Sequence, residues 1–350
     1  MNTPMRAIVK SRPAAGVDIR DDVSRVVDIG DNQIRLKVAA ASVCGTDSHL
    51  YQYTPAAAAF NMVLPVVLGH EGAGTVLEVG RGVDYIDVGD RVALDSHIAC
   101  FNCFPCSTGN AHLCENMRLL GLHTDGLFAE ECVVDAAAAF VLPDGFPLDQ
   151  AALLEPAGVA MHALQRYDKP VLGKRVLVTG GGPVGLFIAE MARLAGAIKV
   201  VVVEPNPFRR NFAESLGAEA VEPEIDVPGY CRAASLDRGG FDVGFEASGH
   251  PSAFETILDS LRVDGTYVSV GFAAQASTLD TSEYLNRKSI TLVGSFGRRL
   301  WDTWELIVSL VKSGALDLAK FISHRLPLAE FETAIELLKS DSCKIVLMPH

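Results

Sequence analysis

Four of the eight cysteines lie close together in residues 97–114, which read HIACFNCFPCSTGNAHLC. Four thiolates in one loop suit a tetrahedral zinc ion, and the candidate ligands are Cys100, Cys103, Cys106 and Cys114. Four protein ligands leave no coordination position open to a substrate, so this ion would stabilise the loop and take no part in chemistry. An iron–sulfur cluster and free thiols are the alternatives, but bacterial ferredoxins use a different spacing after the third cysteine.

Two other stretches carry residues that could bind a catalytic metal ion, SVCGTDSH (42–49) and LGHEGAG (68–74). Cys44 offers a thiolate and His70 an imidazole, and both groups are zinc ligands. Considered singly, Cys44 could fill a buried apolar position and His70 could be an ordinary histidine. The two residues alone therefore leave both interpretations open.

A glycine-rich turn follows the apolar stretch RVLVT and precedes a helical pattern. Its spacing is G-x-G-x-x-G, in which backbone amides at a helix N-terminus hold the pyrophosphate of a dinucleotide. Glu204 ends the next apolar strand, where an acidic residue can accept hydrogen bonds from the adenosine ribose. The predicted cofactor-binding residues are Gly180, Gly182, Pro183, Val184, Gly185, Glu204 and Arg209.

The type of dinucleotide depends on the charges near this ribose. The carboxylate of Glu204 would repel a 2′-phosphate and favours NAD, whereas Arg209 and Arg210 could bind that phosphate and favour NADP. A solvated helix face is a further interpretation, which suits Arg210 better. We predict NAD as the cofactor.

The elements that must position these residues differ between the two parts of the chain. The 350 residues, 49% of them hydrophobic, are sufficient for two domains with packed cores. Up to about residue 155, short β-type runs separated by glycine and proline indicate a barrel-like antiparallel sheet. From residue 174, apolar strands alternate with amphipathic helices, which indicates a parallel sheet covered on both faces and an α/β fold class.

Charge and hydropathy limit the partners. A formal net charge of −13 argues against nucleic acid or an anionic membrane. We expect no signal peptide from the first residues and no membrane span, because no apolar run is long enough. We therefore predict a cytoplasmic protein that acts on a small molecule. Clustered cysteines in that reducing compartment favour metal binding over disulfides.

The order of the motifs resembles the zinc-dependent medium-chain alcohol dehydrogenases. The motifs are CGTDSH, GHEGAGTV, the four-cysteine stretch, LLEPAGVAMHAL and GGGPVG, and the similarity extends over nearly the whole chain. Within that family the chain is most similar to the threonine and polyol (sorbitol-type) dehydrogenases, especially in GRRLWDTWELIVSLVKSGALDL near the carboxyl terminus.

The resemblance implies roles for individual residues. Cys44 and His70 would hold a catalytic zinc ion, and Glu71 and Glu155 match acidic positions that the family uses as ligands or exchanges for water. A non-ligand carboxylate at a helix start is the alternative for Glu155. Glu71 is also expected to take part in catalysis.

Three further residues match the relay and the substrate pocket of the family. Through Thr46 and the cofactor ribose, the substrate hydroxyl would lose its proton towards His49 while hydride passes to the nicotinamide. A turn hydroxyl and a surface histidine are the alternatives for these two residues. His97 matches a pocket histidine of threonine dehydrogenases, or it is a loop histidine.

The resemblance also implies the architecture and the assembly. Residues 1–156 and 298–350 would form a mainly β, GroES-like catalytic domain that includes the zinc lobe at 97–114. Residues 157–297 would form a Rossmann NAD-binding domain with a doubly wound parallel sheet. Two zinc ions per chain and a homotetramer are expected.

The implied activity is NAD-dependent oxidation of a secondary alcohol in a small polar substrate. An L-threonine-like amino acid, a sugar alcohol and a cyclitol all remain open, because Val159 replaces an asparagine usual in threonine dehydrogenases. The alternatives are a reductase that acts on a ketone or aldehyde in the reverse direction, and a non-catalytic NAD-binding scaffold.

Overall fold

The computed structural model describes residues 4–24, 28–273 and 275–350. The chain divides into two compact units, and the division falls at the first turn of a helix. The first unit comprises Met1–Glu155 with Asp317–His350, and the second comprises Pro156–Leu316.

The first unit is mainly β-structure. Its strands are β1 (Pro4–Lys10), β2 (Asp18–Ser24), β3 (Gln33–Val43), β4 (Val66–Val67), β5 (Gly72–Val79), β6 (Arg91–Leu94), β7 (His97–Ile98), β8 (Arg118–Leu119), β9 (Glu131–Asp135), β10 (Ala139–Val141), β17 (Ile322–Pro327) and β18 (Lys344–Met348). The largest sheet has the order β10-β6-β5-β3-β18-β17, with β9 also paired to β3. Smaller sheets have the orders β2-β1-β4 and β7-β8.

Strand β3 is at the centre of the largest sheet and shows why the sequence folds this way. Ile34, Leu36 and Val38 are fully buried and alternate with polar residues, as a half-buried strand requires. Its last residues are buried on both faces, where β5 and β18 flank it in antiparallel pairing. β18 lies here because Ile345 pairs with Val43, so the end of the chain returns to the start of the metal-binding region.

Short helices connect these strands. They are α1 (Gly45–Gln52), α2 (Pro55–Ala58), α3 (Phe104–Ser107), α4 (Leu148–Ala151) and α11 (Phe331–Leu337). Single 3₁₀ turns occur at Ala111–Leu113, Ala136–Ala138, Leu318–Phe321 and Leu328–Glu330. Helix α1 begins directly after β3, which places Cys44 between a strand end and a helix start.

The second unit has the parallel sheet that the sequence predicts. Its strands are β11 (Arg175–Thr179), β12 (Lys199–Val203), β13 (Glu219–Val221), β14 (Phe241–Glu246), β15 (Leu261–Ser269) and β16 (Thr291–Gly294), in the order β13-β12-β11-β14-β15-β16. Its helices are α5 (Leu154–Arg166, which begins in the first unit), α6 (Pro183–Leu194), α7 (Pro207–Ser215), α8 (Val227–Ala233), α9 (Pro251–Ser260), a π-helix (Ser282–Arg287) and α10 (Asp302–Lys312). All five strand pairings are parallel, and the α/β fold class is confirmed.

Residues 298–316 belong to the second unit, whereas the sequence-based boundaries placed them with the catalytic domain. The reason is packing against α5. A Cβ atom added to Gly158 would lie 2.5 Å from the indole nitrogen of Trp304 and 3.0 Å from the Cδ of Arg298. Close approach of these side chains therefore holds α10 to the helix that enters this unit. Among the described residues, no helix is both long and apolar enough to cross a bilayer.

Candidate metal centres and cofactor site

The four-cysteine loop forms a cluster whose dimensions suit zinc. The Sγ atoms of Cys100, Cys103, Cys106 and Cys114 lie within 4.8 Å of one another. Cys103 and Cys114 are 3.9 Å apart, close to the spacing of about 3.8 Å expected for two sulfurs on a tetrahedral zinc ion. All four cysteines are free, because such distances are much longer than a disulfide bond.

Hydrogen bonds and ionisation in this loop also favour a cation. The backbone N–H groups of Cys100 and Asn116 donate to Cys114 Sγ at 3.2 and 3.3 Å. Hydrogen bonding, first from the backbone of Asn102, lowers the pKa of Cys100 to about 6. Desolvation, with neighbouring thiols, raises the pKa of Cys106 to about 12. Four thiolates in this space therefore need a metal ion to offset their charge.

A second cluster consists of Cys44, His70 and Glu71. One ligand atom from each residue lies within 4.8 Å of the others, and His70 and Glu71 are buried. These residues come from the β3–α1 junction and from the segment just before β5, two neighbouring strands of the same sheet. A thiolate, an imidazole and a carboxylate are the donors of catalytic zinc sites, which keep a position open for substrate.

The carboxylate of Asp47 lies beside the imidazole of this cluster. Its Oδ2 accepts a hydrogen bond from the backbone N–H of Cys44 at 2.8 Å, and its Oδ1 lies 3.6 Å from His70 Nδ1. A carboxylate on one ring nitrogen leaves the other for a metal, as in many zinc sites. Burial alone would lower the pKa of His70, but Asp47, Cys44 and Glu71 together raise it to about 10. The cluster therefore strongly attracts positive charge and fits a divalent cation.

The carboxylate of Glu71 is held by two side chains from the adjoining strands. Lys344 Nζ forms an ion pair with its Oε2, and Ser42 Oγ donates a hydrogen bond to the same oxygen. The Lys344 and Glu71 side chains are only 2% and 1% exposed. Lys344 Nζ also donates to the carbonyl oxygen of Val43 at 3.0 Å. Burial opposes ionisation of both groups, but their attraction lowers the pKa of Glu71 and raises that of Lys344.

Glu155 is not a member of the Cys44 cluster. It lies in the first turn of α5, is buried, and its Oε1 accepts a hydrogen bond from Ser96 Oγ at 2.7 Å. The structure therefore brings together three of the four predicted catalytic-zinc ligands. Whether Glu155 joins them stays a prediction.

The predicted relay residues lie on helix α1. Thr46 Oγ1 is 3.7 Å from Cys44 Sγ, beside the metal cluster. His49 is exposed, and its Nδ1 is 3.2 Å from the hydroxyl of Thr54. His97 begins strand β7 just before the cysteine loop, and its backbone N–H donates to Asp95 Oδ1 at 2.6 Å. These positions are compatible with the predicted roles, which remain predictions.

The glycine-rich turn is formed as the sequence predicts, between β11 and α6. Gly182 is the N-cap of α6, Pro183 is its first residue, and Val184 follows. A Cβ added to Gly185 would lie 1.9 Å from the carbonyl oxygen of Gly180, so close helix–strand packing requires this glycine. A Cβ on Gly182 would meet no atom within 4 Å, and this glycine therefore has room for a ligand.

Glu204 lies next to this turn at the end of β12. Its Oε2 accepts from the backbone N–H of Gly181 at 2.6 Å, and its Oε1 accepts from that of Asn206 at 2.9 Å. Its carboxylate is therefore fixed in a cavity of about 610 Å³. Other residues lining the cavity include Thr179, Gly182, Arg209, Ser248 and His250. Arg210 instead pairs with Glu222 and donates to the Glu204 and Pro205 carbonyl oxygens.

Sequence reasoning missed the residues that hold the metal ligands. Asp47 stands three residues after Cys44, so an N-capping pattern could have revealed it. Lys344 is the one charged residue in the apolar stretch CKIVLMP. A lone charge in such a stretch is the only sign in the sequence that Lys344 pairs with a buried carboxylate. Ser42 and Ser96 carry no comparable signal, because serine is common at strand ends.

The parallel sheet with its glycine-rich turn and the thiolate–imidazole–carboxylate cluster define a metal-dependent dehydrogenase. Residues 30–144 match the family described as "Alcohol dehydrogenase GroES-like domain", and residues 183–313 match "Zinc-binding dehydrogenase". The chain belongs to the zinc-dependent medium-chain alcohol dehydrogenase family and is an oxidoreductase that acts on CH–OH groups. The family predicted from the motifs is confirmed.

The chain is also similar in full length to individual members of this family. L-threonine 3-dehydrogenase of Thermococcus kodakarensis is 36% identical over 354 residues, covering 100% of this chain and 99% of the relative. The crystal structure of 2R,3R-butanediol dehydrogenase from Bacillus subtilis is 30% identical with a TM-score of 0.88, covering 99% and 100% of the two chains. A putative zinc-binding dehydrogenase from Sinorhizobium meliloti, bound to NADP, is 28% identical with a TM-score of 0.88 and 99% coverage of both.

Proposed function

We propose that the protein oxidises a secondary alcohol in a small polar substrate to the ketone, with transfer of hydride to NAD. The observation that carries this proposal is the Cys44–His70–Glu71 cluster, in which three zinc-type donors lie within 4.8 Å of one another. A zinc ion bound there would act as a Lewis acid on the substrate hydroxyl. A non-catalytic scaffold would have no need of this second donor set.

The residues around the cluster have separate tasks in this reaction. Cys44, His70 and Glu71 would hold the metal ion, and the carboxylate of Asp47 lies beside the ring of His70. The hydroxyl of Thr46 stands beside Cys44 and would accept the substrate proton as it passes its own proton through the cofactor ribose towards His49. His97 would line the substrate pocket.

NAD is the proposed dinucleotide because Glu204 is held in place by two backbone N–H groups. A fixed carboxylate can accept from ribose hydroxyls but repels a 2′-phosphate. Arg209 lines the same cavity and is the group that could favour NADP. The kcat/KM measured with NAD divided by the kcat/KM measured with NADP gives this preference. A quotient below one would contradict the proposal.

We further propose that each chain carries two zinc ions, one in each donor cluster. The protein would be cytoplasmic and would assemble as a homotetramer. The eight cysteines are all free, which suits a reducing compartment. Strand β16 is the edge of the parallel sheet, and Thr291, Leu292 and Gly294 are exposed on it. An exposed edge can be extended by the same strand of a second copy. Equilibrium sedimentation would test the tetramer.

A panel of alcohols tests the activity. L-threonine, L-serine, butane-2,3-diol, sugar alcohols and cyclitols are each incubated with NAD, and NADH formation is followed by absorbance. The names of the relatives favour a β-hydroxy amino acid or a vicinal diol. Saturable NADH formation with at least one secondary alcohol is the expected result. No turnover with any of them, by protein that contains two zinc ions, would contradict the proposal.

A further inference from the structure

Four hydroxyl side chains line the cavity beside the glycine-rich turn, those of Thr179, Ser248, Ser252 and Thr256. Thr179 is 3% exposed, and its Oγ1 is buried without a hydrogen-bond partner among the residues that the structure describes. A buried hydroxyl without a partner costs free energy relative to the same group in water, so such groups are uncommon in folded proteins. The hydroxyl of Thr179 therefore suits a partner that enters the cavity.

The other three hydroxyls are already used within the chain. Ser248 Oγ donates a hydrogen bond to Glu246 Oε1 at 2.5 Å. Ser252 Oγ lies 2.9 Å from His250 Nδ1. Thr256 Oγ1 donates to the carbonyl oxygen of Ser252 at 2.9 Å. The missing partner is thus a particular property of Thr179, which the rest of this cavity wall does not share.

Thr179 also lies at the point of the sheet where a ligand is expected. It is the last residue of β11, and it pairs with Val203 at the end of β12 and with Glu246 at the end of β14. The chain passes from β11 to β12 on one side of β11 and reaches β14 on the other side, so the strand order reverses between β11 and β14. Open parallel sheets bind ligands outside the carboxyl ends of their strands at such a point.

We infer that the hydroxyl of Thr179 binds the adenosine half of the dinucleotide, through a hydrogen bond to one of its acceptor atoms. This inference rests on the proposed function, which takes this cavity as the dinucleotide site. Thr179 shares the cavity with Glu204, the residue proposed to bind the adenosine ribose, and this places it on the adenosine side. The carboxylate of Glu204 can only accept hydrogen bonds, whereas Thr179 supplies a donor.

The unpaired hydroxyl leads to opposite effects of one substitution on stability and on binding. In cofactor-free protein, Thr179→Val removes a buried hydroxyl that has no partner and keeps the shape of the side chain. It should therefore raise the thermal midpoint of unfolding by about 2–4 °C. With the cofactor bound, the same change removes a hydrogen bond, so the dissociation constant for NAD should rise about tenfold.

Thermal unfolding and calorimetry of the full-length protein measure the two effects. AMP is the second ligand, because it contains adenosine but no nicotinamide, and Thr179→Val should weaken AMP and NAD binding by the same factor. Thr179→Ser keeps the hydroxyl and should bind NAD as the parent does. Thr256→Val is the matched control, since it makes the same change in the same cavity at a hydroxyl that is already paired. It should neither raise the thermal midpoint nor change the affinity for NAD.

Several results would overturn the inference. One is an affinity of Thr179→Val for NAD equal to that of the parent, and another is a lower thermal midpoint of this variant without cofactor. An equal loss of affinity in Thr179→Ser or Thr256→Val would show that the loss does not depend on the unpaired hydroxyl. A loss with NAD but not with AMP would exclude the adenosine half. If Thr179→Val does not fold, Thr179→Ala replaces it in the binding measurements. Failure of the parent to bind NAD would instead contradict the proposed function.

Discussion

The buried ion pair between Lys344 and Glu71 gives a quantitative test of how the metal site is built. Lys344→Met removes the cation but keeps much of the apolar volume, which leaves a carboxylate that is 1% exposed without the ammonium group bound to its Oε2. Removal of one partner of a buried pair costs about 3–5 kcal/mol. We expect the free energy of unfolding of the first unit to fall by this amount in metal-free protein.

The assay must report on the first unit. Both tryptophans, Trp301 and Trp304, lie in the second unit, so their fluorescence would miss the change. Far-ultraviolet circular dichroism follows the urea unfolding of the whole chain, and hydrogen exchange of peptides from β3 and β18 assigns the change to the first unit. Both measurements are made after metal removal, because a bound cation would also offset the charge of Glu71.

The control for this prediction is a double variant. Lys344→Met/Glu71→Gln removes the charge that Lys344 balances, and should recover more than half of the lost stability. A loss below about 1 kcal/mol in Lys344→Met would refute the reasoning. An equal loss in the single and double variants would refute it too, because the cost would then come from packing and not from an unpaired charge.

Four further predictions concern the cofactor turn, the ionisation of the metal site and the carboxylate of Glu204. Gly182→Ala should leave the free energy of unfolding unchanged but raise the dissociation constant for NAD about tenfold, which is about 1.4 kcal/mol of binding free energy. Calorimetry measures this constant. Gly185→Ala should lower the free energy of unfolding by about 3 kcal/mol, because its Cβ would overlap the Gly180 carbonyl oxygen. Equal stability of Gly182→Ala and Gly185→Ala would contradict this. The pKa of His70 is about 10 without metal, so at pH 7 zinc must displace its proton. Zinc affinity should therefore rise at least tenfold per pH unit, and calorimetry in two buffers should show at least one proton released per zinc ion bound. Glu204→Ala should narrow the kcat/KM preference for NAD over NADP by about tenfold or more, and an unchanged ratio would remove Glu204 from cofactor selection.

Local patterns were enough to predict most of the fold. The alternation in β3, the continuous apolar runs of β11 and β12, and the glycine-rich turn each depend on neighbouring residues. Their geometry is therefore encoded within a few positions of the sequence. The cysteine loop was predictable for the same reason, because all four of its sulfurs come from one short stretch.

The support of the catalytic cluster could not be predicted in this way. Lys344 contacts Glu71 only because β18 pairs with β3, a contact across 273 positions of sequence. The hydrogen bond from Ser96 to Glu155 similarly joins residues 59 positions apart. Such contacts follow from tertiary topology, and a single sequence without its fold contains no local signal for them. The assignment of residues 298–316 to the second unit has the same origin, since it depends on packing against α5.

Turnover of the Cys44→Ala variant is the most direct test of the central claim, that the Cys44 cluster holds the catalytic metal ion. NADH formation is measured with the best alcohol of the panel, and Cys103→Ala serves as the control for loss of a sulfur in the other cluster. We predict that Cys44→Ala folds, retains one zinc ion per chain and shows no detectable turnover, whereas Cys103→Ala chiefly loses stability. Turnover of Cys44→Ala equal to that of the parent would contradict the claim.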